Sequence, residues 1–590
     1  MNNIDKSQAK SGRTGHRRST TAFCAAWSRT LALALTVLSA LPSHAGGNAL
    51  LNKFSNDFRS PAGANGMVKV IVQYRAMPAT TNFTSMLSRG ATVHSRLETI
   101  RGVTMTVPAS MLTELQSDPN VLYVTPDRPV QMTSTNPSTE EFATAVEADI
   151  AASQYGLDGT GIGVAIIDTG ISSNSDLNNA SGKTRVVYNQ SFVVGDSTTA
   201  DKFGHGTHVA GLVGGTGASS GSANHYAAIY AGMAPNVNLI NLRVLDQNGC
   251  GTDSGVIAAI QQAIALKSKY NIRVINMSLG RPIYESYTLD PVDQAVEAAW
   301  KAGIVVVVAA GNSGRFAPTD GFGTIGVPAN DPAAITVGAT DTLYTATRVD
   351  DTIASYSSKG PTSIDHIVKP DLVAPGNRQV SLRVAGSTLD TLYPQFEIWP
   401  TSGTSKYYVL SGTSMAAPVV SGAVALMLQQ SSSLTPDQVK ARLMKTAWKG
   451  FGQYTSSRDR YGNNYYNEYD IFTYGAGYLD IDSALGNTNL ASGVALSPTA
   501  VLHSNGTVTV TNTADTNFSG SSVVWGATSV VWGDSVVWGS SAIEGTSVVW
   551  GSTSVVWGAT YESACSVVWG SLSSAASATA ALNSGDPGDN

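Results

Sequence analysis

Val164-Ala165-Ile166-Ile167-Asp168-Thr169-Gly170-Ile171 opens on four apolar residues and ends its run on a carboxylate. A run without polar alternation is buried on both faces, as in a parallel sheet covered by helices. The pattern recurs outward from this stretch at 239–244, 274–277, 304–309 and 335–337. Helical periodicity fills the intervals at 254–269, 292–302, 414–430 and 436–446. Such alternation predicts an α/β fold over 145–490: a doubly wound, mostly parallel sheet with helices on both faces.

In such sheets functional groups collect beyond the carboxyl ends of the strands, and Asp168 is placed there. His205-Gly206-Thr207-His208-Val209-Ala210-Gly211 follows, and Ser411-Gly412-Thr413-Ser414-Met415-Ala416-Ala417-Pro418 leaves Ser414 among small residues at a helix start. A serine hydroxyl needs an imidazole to take its proton, and the imidazole needs a group that fixes its tautomer. Asp168, His205 and Ser414 supply the three. His208 lacks the glutamate that a His-Glu-x-x-His zinc helix requires and reads as a structural histidine. Gly159-Thr160-Gly161-Ile162-Gly163 precedes its strand, which excludes a dinucleotide loop. A lipase-type esterase is excluded by the absence of Gly-x-Ser-x-Gly at the serine and by the chain order.

These three segments, with Lys369-Pro370-Asp371 through Pro375-Gly376, resemble the subtilase family in content and order over roughly 67–490. The resemblance implies a subtilisin-like serine endopeptidase and adds Asn312, in Ala309-Ala310-Gly311-Asn312-Ser313-Gly314, as the oxyanion-hole donor. It implies that Ser278-Leu279-Gly280 and Gly249-Cys250-Gly251 are the edges that hold substrate as an extended strand, with Gly311 beside them. Gly326 matches the base of the S1 pocket, which implies acceptance of a large apolar P1 residue. Polypeptides of many sequences are the expected substrates, because main-chain pairing is tolerant of side chains. No cofactor is expected for the chemistry. A structural calcium is an option the family leaves open: Asp176 matches one ligand position, but the loop after Gly211 carries an insertion.

Ahead of the catalytic body, 67–131 reads as a small α+β unit. It has strands at 68–74, 102–107 and 121–125, a helix at 83–88, and a second helix with Pro108 in its first turn that buries Met111, Leu112 and Leu115. One further strand before Gly102 gives the ferredoxin-like order β-α-β-β-α-β. The resemblance makes this unit an inhibitor propeptide, the chain's own intramolecular partner, with its end in the cleft. A Thr/Ser/Asn/Pro/Glu-rich linker at 132–144 carries self-cleavage, expected within 130–141, and 46–66 is a first linker.

The ends are distinct again. Lys6, Lys10, Arg13, Arg17, Arg18 and Arg29 precede the apolar run 31–41 and then Ser43-His44-Ala45, a pattern that predicts a signal peptide over 1–45 and a secreted or cell-surface protein. That run is too short to span a bilayer, which takes about 20 residues. Beyond a spacer at 491–520, Ser-Val-Val-Trp-Gly recurs from Ser522, Ser529, Ser535, Ser547, Ser554 and Ser566 and takes six of the ten tryptophans. These repeats (521–570), followed by a disordered tail at 571–590, read as β-prone stacked units. Contact with a cell surface or carbohydrate through tryptophan and a merely self-packed extension both stay open. The rival reading of the whole chain is a non-catalytic surface protein whose repeats are the working part. The net charge of −6 and the lack of a basic cluster exclude nucleic acid as a partner. With Cys24 in the signal segment, Cys250 and Cys565 allow at most one internal disulfide, so this is no disulfide scaffold.

Overall fold

The computed structural model describes residues 53–55, 57–58, 66–79, 83–132, 145–343, 345, 347–452, 454–458, 464–502, 508–511, 517–518, 530–532 and 536–538. All lie in the second of two compact units, Met1–Leu51 and Asn52–Asn590. The signal-peptide reading and most of the repeat tail therefore lie outside the described residues.

Strands β1 (Met67–Tyr74), β2 (Thr92–Leu97), β3 (Gly102–Pro108) and β4 (Val121–Pro126) form an antiparallel sheet in the order β2-β3-β1-β4. Helices α1 (Thr84–Leu87) and α2 (Leu112–Ser117) cover it. Successive side chains of a strand point to opposite faces, and β1 uses both. Val70, Val72 and Tyr74 join Phe83, Met111, Leu112 and Leu115 in the small core, while Ile71, with Leu97 and Ile100, packs into the main core. The expected first strand, both helices and the missing fourth strand are all present. One detail is corrected: Pro108 ends β3 with ψ 142°, and a 3₁₀ turn at Ala109–Met111 separates it from α2. Proline fits an extended residue as well as a helix start, so its position alone did not decide.

The chain continues through β5 (Pro129–Met132) into the large domain. There follow β6 (Gly163–Asp168), β7 (Val186–Ser191), α3 (His205–Gly214), β8 (Asn238–Arg243), β9 (Cys250–Thr252), α4 (Asp253–Tyr270), β10 (Ile272–Met277), β11 (Leu279–Gly280), α5 (Pro291–Lys301), β12 (Val305–Ala309), β13 (Ile335–Asp341), β14 (Thr352–Ile353) and β15 (Leu372–Pro375). The central sheet runs β14-β13-β12-β10-β6-β8-β7, with β15 also on β13. Its inner pairs are parallel and only β14 is antiparallel. Every residue of β6, β12 and β13 is buried, as runs covered on both faces require. An antiparallel sheet of β16 (Gln379–Leu382), β17 (Glu397–Ile398) and β18 (Tyr407–Leu410) then precedes α6 (Thr413–Gln430) and α7 (Pro436–Thr446). Thr435 and Gln438 form a reciprocal capping box at the start of α7.

The α/β class, the parallel sheet and the four predicted helices are as expected. In the tail, 530–532 and 536–538 pair antiparallel, Val531 opposite Val537. Among the described residues no helix is long and apolar enough to cross a membrane.

Candidate active site

Asp168 closes β6, Ser278 follows β10 and Asn312 lies just past β12. These three strands are neighbours running the same way, so their carboxyl ends deliver all three residues to one edge of the sheet. Helix α3 brings His205 as its first residue. His205 Nδ1 lies 2.7 Å from Asp168 Oδ1, and both side chains are inaccessible to solvent. The same carboxylate oxygen accepts the Thr169 N–H at 2.7 Å.

Two neighbours that sequence reasoning missed hold this pair. The buried carboxylate of Asp201 accepts Thr169 Oγ1 and the backbone N–H groups of Phe203, Gly204 and Thr207, so it caps α3 from four residues before His205. An acid just ahead of a helix was the available signal. Thr169 Oγ1 in turn accepts the Gly206 N–H at 2.8 Å. Gly206 is required by close approach: a Cβ there would meet Gly170 O at 2.3 Å and Asp168 Cβ at 3.2 Å. His205 Nε2 has no hydrogen-bond partner among the described residues.

Ser414 sits in the first turn of α6, where Pro418 has a structural consequence. Proline has no N–H, so the carbonyl four residues earlier loses its helical donor. That carbonyl belongs to Ser414, and Ser278 Oγ donates to it at 2.9 Å. Asn276 Nδ2 donates to Ser278 Oγ at 3.1 Å. In return Ser414 Oγ donates to the Ser278 carbonyl at 3.1 Å. Ser278, expected at a substrate-holding edge, thus also anchors the serine. Asn312 is aimed from its other end, its Oδ1 accepting Thr413 N at 3.0 Å and Thr413 Oγ1 at 2.9 Å. Its Nδ2 is left buried with no partner among the described residues. The Gly311 N–H donates to Thr413 Oγ1 at 3.1 Å, which ties the β12 loop to the helix start.

The expected substrate edges are β9, which contains Gly251 with Gly249 just ahead of it, and β11, formed by Leu279 and Gly280. Strand β5 lies between them as the middle of a three-stranded antiparallel sheet, with Gln131 opposite both Gly280 and Cys250 and Val130 opposite Gly251. Gly326 sits beyond β11, next to the bridge between Arg281 and Val327, where a Cβ would meet Arg281 O at 2.7 Å. Backbone packing alone demands a glycine there.

Both carboxylate oxygens of Asp176 already have protein partners. Its Oδ1 accepts the Ser219 N–H at 2.9 Å, its Oδ2 accepts the Tyr407 hydroxyl, and its carbonyl accepts Thr216 N–H and Arg185 Nη2. The Tyr226 and Tyr230 rings pack on Tyr407 at 5.1 and 4.9 Å. Calcium takes six to eight oxygens with free lone pairs, whereas this cluster presents donors, rings and a guanidinium. The chain after Gly211, where the insertion lies, supplies Ser219 to this carboxylate. Among the described residues no three His, Cys, Asp or Glu side chains could hold a metal. His208 is structural, as read: its Nε2 bridges the carbonyls of Gln379 and Tyr408, both at 3.1 Å.

A buried carboxylate–imidazole pair, with a serine in the first turn of a central helix, defines a serine hydrolase built on a doubly wound sheet. The sequence pattern of the Subtilase family matches residues 159–477. The serine protease AprX of Bacillus subtilis (strain 168) is 38% identical over 338 residues, which are 56% of this chain and 67% of that protein. Subtilisin DY of Bacillus licheniformis is 34% identical over 340 residues, 58% of this chain and 96% of that protein. Among solved structures, fervidolysin from Fervidobacterium pennivorans superimposes with a TM-score of 0.54 at 21% identity, over 74% of this chain and 64% of that one. The chain belongs to the subtilase family and is a subtilisin-like serine endopeptidase.

Proposed function

We propose that the chain is a secreted, self-processing precursor of a broad-specificity endopeptidase in which Ser414 is the nucleophile, His205 the general base and Asp168 its orienting group. The observation that carries this is the buried 2.7 Å contact between His205 Nδ1 and Asp168 Oδ1, which leaves Nε2 as the ring nitrogen able to take a proton. For reaction the Ser414 hydroxyl turns from the Ser278 carbonyl to Nε2. As Oγ bonds to the substrate carbonyl carbon, its proton passes to Nε2, and the new oxyanion is met by the buried Asn312 amide and the helix-start backbone. Nε2 then protonates the departing amine as the C–N bond breaks, and water, deprotonated by the same nitrogen, releases the acyl group.

The pairing of β5 with β9 and β11 supports the precursor reading, because an extended segment there takes the main-chain partners a substrate would use. Residues 67–131 are then the inhibitor propeptide, 132–144 the processing linker and 145–490 the catalytic domain. The n-region, apolar run and Ser43-His44-Ala45 support secretion, and a surface role for the 521–570 repeats goes with it. The apolar P1 preference rests on the Gly326 match. Wild-type precursor and Ser414→Ala, compared by intact mass and casein hydrolysis, test the reading. Wild type is expected to lose everything up to the 130–141 segment and to digest casein, and Ser414→Ala to do neither. Equal behaviour overturns it.

A further inference from the structure

Immediately ahead of β5, Arg128 is held in a pocket whose outer wall belongs to the large domain. Its side chain is 3% exposed. Nη1 and Nη2 donate to the two carboxylate oxygens of Glu285 at 2.6 and 2.5 Å, a fork-to-fork pair. The Tyr284 ring lies 5.2 Å from the guanidinium carbon. Asp253 and Asp290 stand behind, each 3.9 Å from Nη1. One oxygen of each is taken by Arg281, at 2.8 and 2.6 Å, which keeps the pocket's shape. Asp253 Oδ2 is fully buried, has no hydrogen-bond partner among the described residues and faces Arg128. Among the described residues on the amino-terminal side of the chain, Asp57 alone binds Arg128, at 2.9 and 2.8 Å.

Removal of the segment ending in β5 takes away Arg128 and Asp57 together. What remains is three carboxyl groups, Glu285, Asp253 and Asp290, against Arg281 alone. Burial already raises the pKa of Glu285 and Asp253 to about 7 with Arg128 in place, so their full ionisation calls for a cation. Burial of uncompensated charge is unfavourable, so an emptied site of this composition favours a new cation. Its shape selects which one. The paired oxygens of Glu285 and the flat face of Tyr284 match a planar guanidinium, which an ammonium cannot reproduce.

We propose that Glu285, Tyr284 and Asp253 form an arginine-binding subsite of the mature enzyme. It reads the substrate residue that directly precedes the strand paired with β9 and β11, three positions before the residue opposite Gly280. This rests on β5 occupying the substrate path, as proposed above. The enzyme is thus tolerant along the paired strand and selective just upstream of it, and Arg128 is the chain's own occupant of that selective position.

The test uses mature enzyme and peptides of the chain's own sequence from Asp127 to Ser138, with Arg, Lys or Gln at position 128. Each is measured as a quenched substrate (kcat/KM) and as a competitor of a short chromogenic peptide (Ki), so that binding is read even where cleavage is slow. The Arg peptide is expected to show a kcat/KM about tenfold or more above that of the Gln peptide and a Ki about tenfold or more below it, with Lys between, the scale of one charge-assisted pair. Glu285→Gln is expected to collapse the Arg-to-Gln ratio towards one. Equal constants for the three peptides on wild type overturn the proposal, as does a ratio that survives Glu285→Gln. Should the variant fail to fold, the wild-type ratios and their loss in Tyr284→Ala still decide. Failure of the underlying reading looks different: wild type would then cleave neither these peptides nor the chromogenic one.

Discussion

At the scale of single residues, the acid–base pair depends on a contact with no slack. Gly206 lets α3 approach the Asp168 turn so closely that any side chain meets Gly170 O at 2.3 Å and crowds the Asp168 Cβ. Gly206→Ala is therefore expected to move His205 off Asp168 and to lower kcat by about 10²-fold or more, the effect of a 1 Å misplacement, with KM changing less. Steady-state kinetics on a short peptide substrate check this. Asp168, His205 and Ser414 could be proposed from extended local motifs, and Asn312 from the family resemblance. Asp201 and Thr169 could not be, because their work is done through bonds to backbone N–H groups that only the folded turn brings near. At Asp176 one acidic position was legible, but its partners, Tyr407 and Arg185, come from elsewhere in the chain and were not.

At the scale of elements, the strands of the central sheet were readable wherever burial on both faces makes a run wholly apolar. β7 escaped: it lies at the sheet edge, its residues alternate between half-buried and exposed, and it carries Asn189, Gln190 and Ser191. β5 escaped as a strand because four residues beginning with proline carry no period, and both its partners lie more than a hundred residues away. One side chain ties two elements together and brings a pH dependence with it. His208 on α3 bridges β16 and β18, and burial, helped by the charge of nearby His205, lowers its pKa to about 3. A histidine depressed in the fold takes a proton more readily when unfolded. Its stabilisation is therefore present above about pH 6.5 and is lost as the pH falls towards 3, at up to about 1.4 kcal/mol per unit. Denaturant unfolding of the Ser414→Ala chain at pH 7 and pH 5 is expected to show this loss, and a second change, His208→Gln, to reduce the slope.

At the scale of the whole molecule, two cores share one sheet. β1 turns alternate residues towards its own helices and towards the large domain, and the small unit is further tied down by Gln73 to the Leu289 carbonyl and by Thr99 to Gln261. The ion pair between Arg128 and Glu285 is the most buried of these links. Arg128→Ala leaves Glu285 without its cation, and breaking a buried pair from one side costs about 3–5 kcal/mol. The precursor is then expected to let go sooner: the lag between appearance of the cleaved chain by mass and the onset of casein hydrolysis should shorten by about 10-fold or more. An unchanged lag would place the hold elsewhere in the interface.

The three-stranded arrangement of β11, β5 and β9 has one more consequence. Were the proposed processing to remove its middle strand, two unsatisfied backbone edges would face each other across a slot about two strand spacings wide, roughly 10 Å. Such a slot would not distinguish a foreign chain from the enzyme's own frayed loops, so a processed form would carry its own digestion as a concentration-dependent hazard. The filled form would then be the one in which the molecule can be stored.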